Sequence, residues 1–372
     1  MKSISYQNKN EKIPIWAIIL LAAAALSGII LIIARSNTAF ASFFNRYISG
    51  AVRAFLAFIT DYIPFSVAEL LIILLPILIT LLIIYAIKRR SHSLRAVFSY
   101  FIILLSCASV IFTLFVFSFG VGYHVPTLYE RFDIPKKEIS ADELHSAAVM
   151  LATEVNKRAP QIDYGESGAS VMPYSLSEMN DKLIAAYKET SKSHDFIQGF
   201  SSNIKPVLMS VPMSYTHTTG VYTFFTGEAN LNVDFPDYTL PYTAAHELAH
   251  QRGISRENEA NFIAFLVGVN SNDLYVEYCA YLNMFEYVAS SLHAADAEMY
   301  KNVYSMLSET VKGELSAYSD FYSKYRDSKA GEVSSAINNA YLVANGTSEG
   351  TRSYGLVVDL ALAYFDGYID EK

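Results

Sequence analysis

Three long apolar runs in the first third of the chain constrain its fold more than any other feature. They cover residues 13–34, 66–87 and 97–119, and each is long enough for a bilayer-spanning helix, which needs about 20 apolar residues. The first run lacks a small-residue cleavage site followed by a polar start, so we interpret it as an anchor and not as a removed signal peptide. The sequence therefore predicts a membrane anchor over residues 1–123, with the lipid bilayer as its partner.

The distribution of lysine and arginine predicts the orientation of this anchor. Basic residues precede the first run and fill the short loop between the second and third runs: Lys2, Lys9, Lys12, Lys88, Arg89, Arg90 and Arg95. Such residues favour the cytoplasmic side, which gives a multi-pass protein of the cell membrane with a cytoplasmic N-terminus. After three spans the C-terminal domain lies outside the cytoplasm. Three arginines in the intervening loop weaken this bias without reversing it.

That intervening loop contains a predicted amphipathic helix over residues 40–60. Apolar residues recur there at helical spacing, and Asn45, Arg46, Ser49 and Arg53 lie on the opposite face. Such a helix is suited either to the outer membrane interface or to packing against the spans. The pattern alone does not distinguish these two positions.

Residues 124–372 predict one α-rich α+β domain with a small sheet. A capping box at Ser140 starts a helix that runs to about residue 157, a second helix covers about 177–193, and helices dominate from Thr239. Valine, tyrosine, threonine and phenylalanine between residues 207 and 233 indicate short strands. The net charge of −8, without a basic cluster in this part, argues against a nucleic-acid partner. The two isolated cysteines do not form a metal-site pattern.

The segment His246-Glu-Leu-Ala-His250 has the spacing of a catalytic metal site. On a helix, residues four apart point the same way, so His246 and His250 can bind one zinc ion. Glu247 lies beside them, where a carboxylate can act as a general base toward water. Pro241 in the first turn and Gly253 after the second histidine predict the start and end of this helix.

A catalytic zinc site needs a third protein ligand. We predict Glu257 as that ligand, on a second helix with Ser255 as its N-cap and with Asn261, four residues further on, in a supporting position. A glutamate with a partner one turn later is typical of gluzincins, whereas Arg256 stands where a metzincin would carry its third histidine. Glu259, on another face of the same helix, is the alternative ligand.

Several stretches resemble the family named domain of unknown function 3810. These are residues 225–232, 240–253 and 257–261, supported by residues 64–69, 213–215, 341–345 and 350–354. The resemblance extends over nearly the whole chain, from the first span to the C-terminus. It implies a bacterial membrane protein with an N-terminal helical anchor and a zincin-like, zinc-peptidase domain, and it implies no particular substrate.

The function expected from these patterns is hydrolysis of a peptide or protein substrate by a zinc metallopeptidase. Residues 222–233 are a candidate strand for aligning the substrate, or simply part of the core sheet, and Arg352 or Tyr354 are candidates for stabilising the oxyanion. One alternative is a membrane receptor or cell-envelope structural protein that binds zinc without turnover. Another is a channel or transporter, although the spans carry few charged residues.

Overall fold

The computed structural model describes residues 13–89, 94–135, 138–347 and 356–367. Three of its helices are long and apolar enough to cross a membrane. These are α1 (Ile15–Ser36), α4 (Val67–Arg89) and α5 (Leu94–Ser118), which confirms the three predicted apolar helices to within three residues at each end. The terminal lysines and Arg90, on which the predicted orientation depends, lie outside the described residues.

The predicted amphipathic helix is split into three pieces. Helix α2 (Thr38–Phe43), a π-helical segment (Phe44–Ser49) and α3 (Gly50–Asp61) follow one another without a break. Its polar residues Asn45, Ser49 and Arg53 are buried, while much of its apolar face is exposed. This is the reverse of a helix on a water-soluble protein, because here the polar face packs against the rest of the protein.

The part of the chain after α5 is built mainly of helices around one apolar core. Among the described residues its α-helices are α6 (Leu128–Arg131), α7 (Ala141–Arg158), α8 (Leu176–Ser193), α9 (Ser210–Ser214), α10 (Thr239–Gln251), α11 (Glu257–Val269), α12 (Leu274–Ala295), α13 (Ala297–Met306), α14 (Glu309–Ser323), α15 (Lys329–Ala344) and α16 (Val357–Phe365). Short 3-10 turns cover Gly120–His124 and Ala159–Gln161. The capping box at Ser140 is present, whereas α8 is capped by Ser175, slightly before the predicted start.

A small sheet completes this part of the chain and confirms the α-rich α+β prediction. It contains β1 (Lys205–Pro206), β2 (Gly220–Thr223) and β3 (Glu228–Leu231). The spatial order is β1-β3-β2, with β1 parallel and β2 antiparallel to β3. Strand β2 is therefore an edge strand of this sheet, and both β2 and β3 pack against α10.

Candidate metal centre

Helix α10 is buried along its whole length and carries the two histidines and Glu247. It starts at Thr239, with Pro241 in the first turn as predicted. After the helix, Gly253 adopts a φ of +100° and its N–H donates to His250 O at 3.0 Å. A residue with a side chain is strained at such a φ, so this glycine allows the chain to turn back sharply toward the histidines.

The returning chain brings Glu257 against both imidazoles. Glu257 Oε2 lies 3.2 Å from His246 Nε2 and 3.3 Å from His250 Nε2. The ligand atoms of these three residues all lie within 4.8 Å of one another, an arrangement that could hold a metal ion. The structure thus brings together the three residues that the sequence predicts as metal ligands.

His250 is fixed in the tautomer that metal binding requires. Its Nδ1 lies 2.7 Å from the carbonyl oxygen of Ile254. Because a carbonyl can only accept a hydrogen bond, Nδ1 carries a proton, so that in the neutral imidazole the lone pair of Nε2 points toward the cluster. Nδ1 of His246 is buried and has no hydrogen-bond partner within the described parts of the chain.

The charges of the cluster reinforce one another. Burial by itself raises the pKa of Glu257, but the positive charge of His250 and hydrogen bonds from both imidazoles hold that pKa well below its usual range. Burial likewise disfavours protonated His250, yet the Glu257 carboxylate outweighs this and raises the pKa of His250 to about 9. Without a metal, the site therefore favours a carboxylate next to a protonated imidazole.

Glu247 occupies a different environment from Glu257. It accepts a hydrogen bond from the backbone N–H of Tyr222 in β2, while its Oε2 is buried without a partner among the described residues. Burial raises its pKa, and the two histidines partly offset this. Gly220 permits the approach of β2, since a Cβ there would lie 2.7 Å from Glu247 Cγ. The carboxylate is thus held beside the cluster with one oxygen unpaired.

The neighbours of Glu257 on α11 have other partners. Glu259 Oε1 accepts the N–H of Leu128 at 3.0 Å and pairs with Arg256, so the alternative ligand lies outside the cluster. The N-cap of α11 is Arg256, and no side chain caps this helix. The predicted cap Ser255 instead donates to the carbonyl oxygen of Phe119 at 3.1 Å, so that prediction is wrong. The Ser255 side chain makes this tertiary contact instead of capping the helix, and the sequence gives no sign of that contact.

The cluster lies in a cleft of about 1270 Å³. The side chain of Asn261, predicted as a supporting residue, is buried near the cluster, beside the hydroxyl of Tyr287. The remaining walls come from distant elements: Gly220, Val221 and Tyr222 of β2, Asn283, Glu286 and Tyr287 of α12, and Val333, Ile337 and Tyr341 of α15. Periodicity in the sequence gives no signal for these wall residues, because only the tertiary fold assembles them.

Glu286 is an acidic group in this cleft that the sequence analysis missed. Burial raises its pKa to about 7, and the hydroxyl of Tyr238 donates to its carboxylate at 3.2 Å. Within the described parts of the chain it makes no ion pair. His217 also lines the cleft, and its Nε2 lies 2.7 Å from the carbonyl oxygen of Tyr325.

The third apolar helix ends directly at the cluster of His246, His250 and Glu257. Phe119, the residue after α5, packs edge-on against the ring of His250 with centroids 5.7 Å apart. Together with Tyr123 it also contacts Tyr222 and forms part of the cleft wall. A residue of the predicted anchor is therefore in contact with a predicted ligand.

A buried arginine connects the predicted anchor to the turn that follows α10. Arg53 is 1% exposed and donates to the backbone oxygens of Asn45 and Ser118 and to the side chains of Asn45 and Gln198. Asn45 in turn donates from Nδ2 to the carbonyl oxygen of Gly253 at 3.1 Å. The turn that returns the chain to the cluster is thus held from the anchor side.

The second apolar helix is joined to the sheet in a similar way. Both carboxylate oxygens of Glu228 accept N–H groups of the first turn of α4, from Val67 and Ala68, at 2.9 Å each. Ser66 donates to Asn230 Oδ1 at 2.6 Å. A carboxylate at a helix N-terminus is favourable, so β3 and α4 stabilise each other. Arg352 and Tyr354 lie outside the described residues, and their predicted role stays untested.

One comparison with known proteins gives a match. The model of the family described as "Protein of unknown function (DUF3810)" matches residues 44–362. No curated protein sequence and no solved structure matches this chain. The match covers the π-helical segment, α3 to α15 and most of α16, and therefore contains every residue of the cluster.

Proposed function

Because this chain belongs to the DUF3810 family, whose description assigns no activity, we propose from its own residues that it is a membrane-anchored zinc metallopeptidase. The observation that carries the proposal is the unpaired carboxylate oxygen of Glu247 beside the cluster of His246, His250 and Glu257. A site that only binds a metal has no need of a base there.

The donor set fits zinc. Zinc bonds to histidine nitrogen and carboxylate oxygen at about 2.0–2.2 Å, which places tetrahedral ligands about 3.3–3.5 Å apart. The two measured separations from Glu257 Oε2, 3.2 and 3.3 Å, are close to this value. Two histidines and one glutamate leave a fourth position for water or substrate, as in catalytic zinc sites. The order of the motif helix and the following ligand helix supports a gluzincin-type, zincin-like domain.

The protein residues divide the chemistry among them. His246, His250 and Glu257 would hold the ion. When bound, the ion would lower the pKa of a water molecule and polarise the scissile carbonyl. Glu247 takes a proton from the attacking water and delivers it to the leaving amine. Its raised pKa suits the first of these steps, because a carboxylate that is more basic than usual accepts a proton more readily.

The cleft walls suit a peptide or protein substrate. An extended peptide can add to the edge strand β2, although the Tyr222 N–H is already bound to Glu247. Tyr287 and Tyr341 are candidates to donate to the carbonyl oxygen as negative charge develops. Burial raises the pKa of both hydroxyls, to about 12 for Tyr341, so both keep their protons. With the predicted orientation, this cleft lies outside the cytoplasm.

The test compares wild type with Glu247→Gln in the full-length chain, purified in lipid nanodiscs and loaded with zinc. Both are incubated with unfolded casein, and new N-termini are labelled and identified by mass spectrometry. We expect both proteins to bind zinc and only the wild type to produce new termini. Identical sets of termini from the two proteins, including none from either, refute the peptidase.

A further inference from the structure

Helix α4 leaves the protein surface almost at once. From Leu70 to Ile87 its side chains are exposed or partly exposed, and its apolar stretch has no buried part. An isolated helix of this composition is stable only when lipid covers it. The residues around its base, near Val67, therefore lie where the bilayer begins.

The chain before α9 is fastened to this base by Glu69. Glu69 lies in the first turn of α4, and its carboxylate accepts the N–H groups of Leu208 at 3.0 Å and Met209 at 2.7 Å. These two bonds fix the backbone of residues 208–209 at the level of the helix start. Leu208 is 84% exposed, which is a high exposure for a leucine held in a fixed position.

A second connection fastens the chain on the other side of the base. Lys205 is buried, and its ammonium donates to the carbonyl oxygens of Thr60 at 3.0 Å and Ile63 at 2.5 Å. Asp61 accepts the N–H of Asn203 at 2.8 Å. The segments 60–69 and 203–209 therefore form one surface around the start of α4.

On this surface the charged groups turn inward and the apolar groups turn outward. Lys205 and Glu69 are buried on backbone partners. Five large side chains are exposed around the same base, and we refer to them as the basal patch: Tyr62, Phe65, Leu208, Met209 and Val211. The exposed Phe55, Phe58 and Ile59 of α3 precede this patch in the chain. A group of exposed apolar side chains of this kind marks an interaction surface.

We propose that the basal patch is embedded in the bilayer, at the place where α4 leaves the protein and enters the lipid. The occupant is lipid, and not a partner protein, because the patch directly adjoins a helix that lipid must surround. A tyrosine among aliphatic and aromatic side chains is also typical of the membrane interface. The part of the chain after α5 then rests on the membrane at a second place besides the helices, which fixes its tilt.

The test measures the depth of single tryptophans. The chain has one tryptophan, Trp16, so Trp16→Phe gives a blank background. Leu208→Trp then reports on the patch. Met150→Trp on α7 is the control, because Met150 is also exposed but α7 packs on α12 and α13. Both proteins are placed in nanodiscs of ordinary or dibrominated phosphatidylcholine, since bromine in the acyl chains quenches nearby indoles.

Brominated lipid should remove more than about half of the fluorescence of Leu208→Trp and little of that of Met150→Trp, because only the former reaches the acyl region. Val211→Trp serves as a second probe of the patch if Leu208→Trp does not fold. Equal quenching of the patch and control probes overturns the proposal. Protection of the patch probe from both brominated lipid and aqueous iodide also overturns it and identifies a protein contact instead.

Discussion

Glu257→Gln is the change that most directly examines the metal centre. The substitution keeps the shape of the side chain and one carbonyl oxygen but removes the negative charge that lies 3.2 and 3.3 Å from the two imidazoles. Loss of a residue that merely orients a ligand weakens metal binding by about 10–100-fold. Loss of a charged ligand should exceed this range, so we expect at least about 100-fold weaker zinc binding, or about 2.7 kcal/mol.

Glu259→Gln is the matched control. Glu259 lies two residues further along α11 and its side chain is 4% exposed, against 11% for Glu257, but its carboxylate binds the Leu128 N–H and Arg256. The same chemical change there removes an ion pair without touching the cluster. We expect its zinc affinity to stay within about threefold of wild type, because side chains two apart on a helix face different directions.

The assay is competition between the full-length chain and a chromophoric chelator at constant pH. Circular dichroism of each variant establishes that the helices persist. If Glu257→Gln retains wild-type affinity while Glu259→Gln loses it, the third ligand has been assigned to the wrong glutamate. If neither variant changes, the carboxylate is not a ligand and the reasoning from the cluster geometry fails.

Three further predictions concern residues around the cluster. Arg53→Met should lower the free energy of unfolding by about 1–3 kcal/mol, because buried oxygens of Asn45, Ser118 and Gln198 lose their hydrogen-bond donor. Arg46→Met removes only an exposed pair with Asp195 and should cost less than about 1 kcal/mol; similar thermal unfolding midpoints for the two would contradict this. Gly220→Ala should keep zinc but reduce hydrolysis, because the added Cβ displaces Glu247, and unchanged kcat would count against that role. Zinc affinity should fall about tenfold per pH unit from pH 8 to pH 6, because protons compete for His250, whose pKa is about 9 in the metal-free protein; a flat profile would show that His250 is not protonated there.

Helical periodicity accounts for the part of the site that the sequence predicted. The four-residue spacing of His246 and His250 and the helix end at Gly253 are local features, and local geometry fixes them. The position of Glu257 near the histidines was predictable because the turn between α10 and α11 is short. The distinction from Glu259 also followed from helix geometry, and the structure places only Glu257 in the cluster.

Residues that depend on long-range packing were not predictable in this way. The polar face of residues 40–60 was identified correctly, but the pattern does not say that Asn45 and Arg53 are buried against the turn after α10. Phe119 looked like the end of a span and proved to be a neighbour of His250. Glu286 gave no spacing signal, since its only described polar partner, Tyr238, is 48 residues away.

The Arg53 network has a consequence for how the protein is made. Asn45 and Gly253 are separated by 208 positions, so the ribosome completes the membrane helices long before it reaches α10. Helix α10 and its turn therefore meet a partner surface that already exists. A molecule whose anchor failed to insert correctly lacks this surface, and an uncompensated buried arginine strongly disfavours the assembled state. We therefore expect the cluster of His246, His250 and Glu257 to assemble only after the apolar helices have inserted.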